Sequence, residues 1–341
     1  VERAGRWLLQ SGIIDPDGGV ARYRLTDSQQ NLPASTEITG YTVSGLCYLY
    51  ELTADPRYLA AARLSGDYLT HKAWDESSSA MPFEIHHGPR YSYFFDCGII
   101  IRALLWLYRL TSHAPYLERA RSIGIAMERD FASLSGFHPI VLLPSKSPEK
   151  HDLWWSRMPG AFQLKAALGW LDLGDTLDDQ HFRDLYDQVL AFSLEHYAET
   201  LDNESEQLRK MDRLHAWSYF LEGLQPVGDR QPIQMLIRSA LAHGEQLREQ
   251  LAPIFLRSDV CAQLLRIRLI AGLAPAPGEI IRIESFQYAS ADPTLDGGFG
   301  FGRRDGALTP HVNPVSTVFC LQALSFAAGN GSPSVDWRKL I

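Results

Sequence analysis

Glu37 and Tyr41 stand four residues apart, a spacing that puts both on one face of a helix. A carboxylate beside a phenol can act as a general acid–base pair. A second acid, Asp96, follows Tyr91, Tyr93, Phe94 and Phe95 and precedes Gly98. Aromatic rings stack on the apolar faces of a pyranose while carboxylates take its hydroxyls. Burial among rings also raises a carboxyl pKa, as an acid catalyst requires. Each acid equally fits a plainer role, that of a first-turn residue complementing a helix dipole.

Further groups recur along the chain. Asp152, Trp154, Trp155 and Arg157 form its densest charged and aromatic cluster; two adjacent tryptophans in a polar loop point to a groove lining. Gln163 follows, then Lys165 within an apolar segment. Asp212, Arg213, His215, Tyr219 and Glu222 make one helix unusually polar. His215, Tyr219 and Glu222 form a single stripe, read as functional at Asp212 and His215 and as a structural network at Glu222. Asp259 with Gln263 repeats this pattern, and Phe299, Phe301 and His311 belong to the last long loop. Arg90 lies just after the adjacent His86 and His87. Neighbouring histidines point apart and no carboxylate at ligand spacing follows, so no metal site is expected. The Asp-Gly-Gly-Phe-Gly run at 296–300 lacks the strand before it and the Gly-Lys-Ser/Thr after it that a phosphate loop needs.

These groups sit at the openings of regularly spaced apolar helices. The openings are Ser35–Tyr41, Tyr93–Gly98, Arg157–Gln163, Met211–His215, Arg257–Cys261 and His311–Val315, with starts 46 to 64 residues apart. Apolar segments are expected at about 35–52, 96–111, 158–173, 212–225, 258–272 and 313–328. Between them lie one-sided helices at about 55–70, 115–131, 178–199, 229–250 and 276–288, and a first helix at about 2–9. Helices apolar all round are buried and one-sided helices lie outside them. Six inner and six outer helices can close into a double ring in which every inner helix runs the same way. The long aromatic connections 13–34, 73–95, 132–157 and 288–312 then gather on one face, while the return connections are short. That asymmetry marks a working face.

The 341-residue chain has 45% hydrophobic residues and a net charge of −8. No linker divides it, so one domain spanning 1–341 is expected. The acidic balance argues against a nucleic-acid groove. No apolar run approaches the roughly 20 residues that span a bilayer. The start, Val-Glu-Arg-Ala-Gly-Arg-Trp-Leu-Leu, is too charged for a signal peptide, so a cytoplasmic location is expected unless a leader is missing. Cys47, Cys97, Cys261 and Cys320 fall at long intervals in apolar helices, as buried free thiols do.

This pattern resembles the six-hairpin, (α/α)6-toroid superfamily of carbohydrate-active proteins. Its members include unsaturated glucuronyl hydrolases, N-acylglucosamine 2-epimerases and glucuronyl carbon-5 epimerase catalytic domains. The opening Ser-Thr-Glu-Ile-Thr-Gly-Tyr, with Asp-Pro-Arg-Tyr-Leu-Ala-Ala-Ala after it, is similar to uncharacterised toroids associated with polysaccharide biosynthesis. Phe-Phe-Asp-Cys-Gly resembles the Phe-Asp-Thr-Gly opening common in that group, so Glu37, Tyr41 and Asp96 are the residues that match. Two other toroid groups fit less well: no Cys adjoins a His, as lanthionine cyclases need, and no Asp-x-Asp-Asp motif appears, as in terpene cyclases.

The resemblance implies an all-α (α/α)6 toroid that handles sugars. The expected activity is glycoside hydrolysis of a poly- or oligosaccharide, uronate-containing glycans among the candidates, with no cofactor. Asp96 or Glu37 would be the acid and Asp212 or Asp152 the base. In an epimerase or lyase, His215 or Tyr41 would abstract the proton and Arg157 or Arg213 neutralise the enolate. The third alternative is a non-catalytic glycan-binding scaffold. Tyr91, Tyr93, Trp154, Trp155, Phe299 and Phe301 would stack sugar rings, with Arg90, Gln163, Asp259 and His311 completing the binding set.

Overall fold

The computed structural model describes residues 1–85, 90–152, 154–202, 206–329 and 336–341. Its helices are α1 (Glu2–Gln10), α2 (Thr36–Thr53), α3 (Pro56–Asp67), α4 (Phe94–Thr111), α5 (Ala114–Phe131), α6 (Gln163–Leu177), α7 (Gln180–His196), α8 (Glu199–Asp202), α9 (Gln207–Gly223), α10 (Gln231–Leu251), α11 (Ser258–Ile270), α12 (Glu279–Glu284) and α13 (Pro314–Ala327). Among the described residues ten short strands occupy the connections: β1 (Arg24–Leu25), β2 (Arg90–Tyr93), β3 (Ala132–Ser133), β4 (Gly136–Phe137), β5 (Ile140–Leu143), β6 (Ser147–Pro148), β7 (Phe255–Arg257), β8 (Gly302–Arg304), β9 (Ala307–Leu308) and β10 (His311–Val312). The chain forms two compact units, residues 14–21 with 33–197 and residues 1–13 with 22–32 and 198–341.

In the first unit the buried helices α2, α4 and α6 pack side by side, each backed by the one-sided helix that follows it, α3, α5 or α7. The caps explain the sharp boundaries. The Ser35 hydroxyl accepts from the Ile38 amide at the start of α2, and Asp55 and Asp179 carboxylates do the same for α3 and α7. The α4–α6 approach depends on glycine. A Cβ on Gly98 would lie 2.2 Å from the Ala166 carbonyl oxygen, and one on Gly169 2.8 Å from that of Gly98.

The second unit repeats the scheme: α9, α11 and α13 pack in a row, backed by α10, α12 and α1. Its interior is more polar. Arg266 is fully buried, pairs with Glu222, and donates to the Gln322 side chain and the Ile341 carbonyl, each at 3.1 Å. Its guanidinium lies 4.1 Å from the Phe319 ring centre. Glu222 is thus part of a structural network, as its place in the sequence stripe predicts.

Two helix starts depart from expectation. α6 begins at Gln163 rather than 158, because Pro159 and Gly160 keep the preceding segment out of the helix and Trp155–Arg157 form a separate 3-10 turn. α9 begins at Gln207 rather than 212, so Asp212 and His215 lie one and two turns inside it. The connections also hold more order than an all-helical reading supplies. β2, β5 and β6 form one antiparallel sheet and β7, β8 and β9 another. All four cysteines are buried and unbonded. Among the described residues no helix is long and apolar enough to cross a membrane.

Candidate functional site

In the first unit three helix openings are stitched together at one end. The Thr36 amide at the start of α2 donates to the Phe83 carbonyl (3.0 Å), and the Phe83 amide donates to Tyr91 in β2 (2.8 Å). β2 runs straight into α4, and pairs with β5 so that Tyr91 faces Leu142 and Tyr93 faces Ile140. The Gln163 amide group at the start of α6 donates to the Phe137 carbonyl (3.1 Å) while its oxygen accepts from the Gly160 amide (3.1 Å). Gln163 is therefore a buried stitch with both ends of its side chain engaged.

This stitching brings Glu37 and Asp96, both in first helical turns, into each other's field. A first-turn position lowers a carboxyl pKa through the helix dipole, yet both groups move the other way. Burial raises the half-buried Glu37 to about 7. Burial first, and the Glu37 charge second, raise Asp96 well above the ordinary carboxylate range. Asp96 is 5% exposed, and its Oδ2 has no hydrogen-bond partner among the described residues. Two carboxyls that oppose each other's ionisation titrate as a pair and retain a proton at neutral pH. Desolvation is the largest influence at both positions.

Around this pair lie other expected residues. Tyr93 and Phe83 rings stand 5.4 Å apart. Burial pushes the Tyr93 phenol up to about 12, with Asp96, Glu37 and Tyr91 adding to the rise and Arg157 opposing it. Those groups therefore share one neighbourhood. Tyr41, one turn beyond Glu37 in α2, is buried. Trp154 is 53% exposed, whereas Trp155 sits edge-on against Phe162 at 5.0 Å. The arginines are committed. Arg157 donates to Asp152 at 3.1 Å, and Asp152 also accepts from the Trp154 amide at 2.7 Å. Arg90 donates to Asp75 at 2.7 Å. His86 and His87 lie outside the described residues. His138, which lies between β4 and β5 and outside the expected set, has its ring 6.2 Å from that of His151. The carbonyl of the next residue, Pro139, accepts from the first amide of α4.

The second unit gathers a different set. Arg257 grips Asp259 through two nitrogens (3.0 and 2.6 Å) and Asp212 through the third (2.6 Å). Burial works against each of these charges, but the opposite partners prevail: Asp259 is held below the usual carboxylate range and Arg257 above the usual guanidinium one. His215 Nδ1 lies 2.7 Å from Gln263 Oε1 and 3.9 Å from Asp259. Donation to that amide oxygen places the proton on Nδ1 and the lone pair on Nε2. Burial first, then Arg257, lowers His215 to about 4, so the ring is neutral. Tyr219 lies against it at 4.3 Å. Arg257, the hub of this set, is missing from the expected site residues although it stands two residues before Asp259.

The remaining expected residues are spread. Arg213 is half-buried. Phe299 is 1% exposed, packed in the interior. Phe301 lies under Arg257 with the guanidinium 4.6 Å from its ring centre, and 6.0 Å from His311, which contacts Tyr23 at 4.8 Å. Among the described residues no group of three or more His, Cys, Asp or Glu side chains is arranged to hold a metal ion.

No family model matches the chain, and no curated protein matches its sequence. Solved structures do match. A cellobiose 2-epimerase from Spirochaeta thermophila is 13% identical, with 95% of this chain and 93% of that one covered at a TM-score of 0.69. Another from Bacillus thermoamylovorans is 12% identical, with 92% and 94% covered at 0.68. An α-1,6-mannanase from Salegentibacter is 12% identical, with 96% and 98% covered at 0.61. At such identities the likeness establishes the fold and leaves the reaction to the site. The chain has the all-α (α/α)6 toroid fold that its repeat pattern predicts.

Proposed function

We propose that this protein is a carbohydrate-active enzyme that hydrolyses a glycosidic bond with Asp96 and Glu37. The carrying observation is the carboxyl pair, one member buried with no hydrogen-bond partner for Oδ2 among the described residues, the other partly open to solvent. Asp96 donates its proton to the leaving oxygen; Glu37, ionised, is the partner carboxylate, acting as base on water or as nucleophile. Tyr91, Tyr93 and Trp154 offer rings to the sugar. Support of a general kind comes from neighbours of the same fold, which act on cellobiose and mannan.

The test is mass spectrometry of an oligosaccharide panel after incubation in oxygen-18 water. Label at a new reducing end is expected, with Glu37→Gln and Asp96→Asn each losing at least about 100-fold in kcat while retaining glycan binding. Binding without turnover in the unmodified protein would replace the enzyme by a glycan-binding scaffold.

A second reading is sugar epimerisation or isomerisation, favoured by the neutral His215, whose tautomer Gln263 sets. It fits the two cellobiose 2-epimerases among the neighbours. Deuterium on carbon without bond cleavage would establish it over hydrolysis.

A further inference from the structure

We propose that the site of the first unit selects uncharged glycans over uronates, and that Asp152 is the residue that enforces this by occupying Arg157. The inference rests on the carboxyl-pair reading above and names its substrate class.

Binding a uronate requires a cation for the sugar carboxylate, ordinarily an arginine that can meet it with two parallel hydrogen bonds. Arg157 shares this neighbourhood and Arg90 opens the strand that leads into α4; each already holds an acid, while Lys165 in α6 is fully buried. Arg90 donates to Asp75 (2.7 Å), which is itself pinned by the Ser77 amide (2.9 Å) and hydroxyl (2.6 Å). Arg157 donates to Asp152 (3.1 Å).

The second pair is partly exposed, 43% and 36%, and such pairs contribute only about 0–1 kcal/mol. A ligand carboxylate could compete for Arg157 on energy alone. Asp152, though, is anchored independently by the Trp154 amide (2.7 Å), so its carboxylate stays beside Arg157 at an effective concentration on the order of millimolar or higher. A uronate must displace this tethered competitor. It must also approach Glu37 and Asp96, two carboxyls that already oppose each other's charge. A neutral sugar meets neither cost, and its hydroxyls suit a protonated acid, phenols and indole rings.

The experiment measures binding of neutral oligosaccharides and their carbon-6-oxidised uronate counterparts, in matched pairs, to the unmodified protein and to Asp152→Asn. Asn keeps an oxygen for the Trp154 amide but loses the charge on Arg157. We expect the neutral member of each binding pair to be preferred at least about 10-fold, and Asp152→Asn to narrow that gap about 5-fold by improving uronate binding. Equal or tighter uronate binding by the unmodified protein overturns the proposal. So does an unchanged gap in Asp152→Asn, or binding of neither class. The hydrolase reading is judged separately by oxygen-18 incorporation: a neutral preference without hydrolysis would remove that reading and keep this one.

Discussion

Glu37 and Asp96 are acids in first helical turns, where a carboxylate normally gains from the dipole. Burial outweighs that gain at both positions, and the consequence is kinetic. With Asp96 retaining its proton and Glu37 ionising near 7, kcat/KM is expected to rise as pH passes about 7 and to fall where Asp96 ionises. A pH–rate profile checks this. Glu37→Gln should erase the acidic limb in whatever activity remains, and a limb that persists in that variant would assign it to another group. His215 illustrates the same physics with opposite sign: burial and the nearby Arg257 hold its ring neutral, down to about 4.

At the scale of elements, the site depends on how closely α4 can approach α6. Asp96 is two residues from Gly98, whose missing side chain admits the Ala166 carbonyl. Gly98→Ala would place a Cβ 2.2 Å from that oxygen, and the helices must separate to relieve it. The expected destabilisation is about 1–3 kcal/mol, read as a lower Tm, with loss of turnover as the opening of α4 shifts. An unchanged Tm would show that the two helices slide apart freely. The strands of the connections serve the same end. β2 pairs with β5, which aligns Tyr91 and Tyr93 directly before α4, and the Gln163 side chain ties the start of α6 to Phe137.

For the whole molecule, the site residues leave a mark on stability. Glu37 rises from an ordinary 4.5 to about 7 on folding, so the folded state holds the extra proton between those values. Its contribution is fully present below about 4.5 and is lost as pH rises through 7. His215 falls from 6.5 to about 4; its contribution is present above 6.5 and is lost as pH falls through 4. The two slopes oppose each other between about 4.5 and 6.5. Glu37→Gln removes the first, so the variant's stability should climb more steeply through this window. Above pH 8 it should exceed the unmodified protein by about 1–2 kcal/mol, allowing for the open side of Glu37. Urea denaturation at pH 5 and pH 8 checks it; an identical stability difference at both values would mean Glu37 does not titrate on folding.

The alternation of all-round apolar and one-sided helices is written in the sequence, because burial demands it residue by residue. Ser35, Asp55 and Asp179 mark helix starts through caps made within three residues of chain. Glu37, Tyr41 and Asp96 stand out as candidates for the same local reason: helical spacing and neighbouring rings need no tertiary information. The roles of the arginines were not legible. Arg257 meets Asp212 across 45 residues and Arg90 meets Asp75 across 15, and nothing local says which acid an arginine will find. Nor does sequence say which acid loses its water. Asp152 and Asp96 look alike in composition, each beside aromatics, yet one is half-open and paired with Arg157 while the other is buried with Glu37 for a neighbour. Charge pairing and desolvation depend on what packs around a group from distant parts of the chain, so only the tertiary structure decided which carboxyls keep a proton and which arginines are taken.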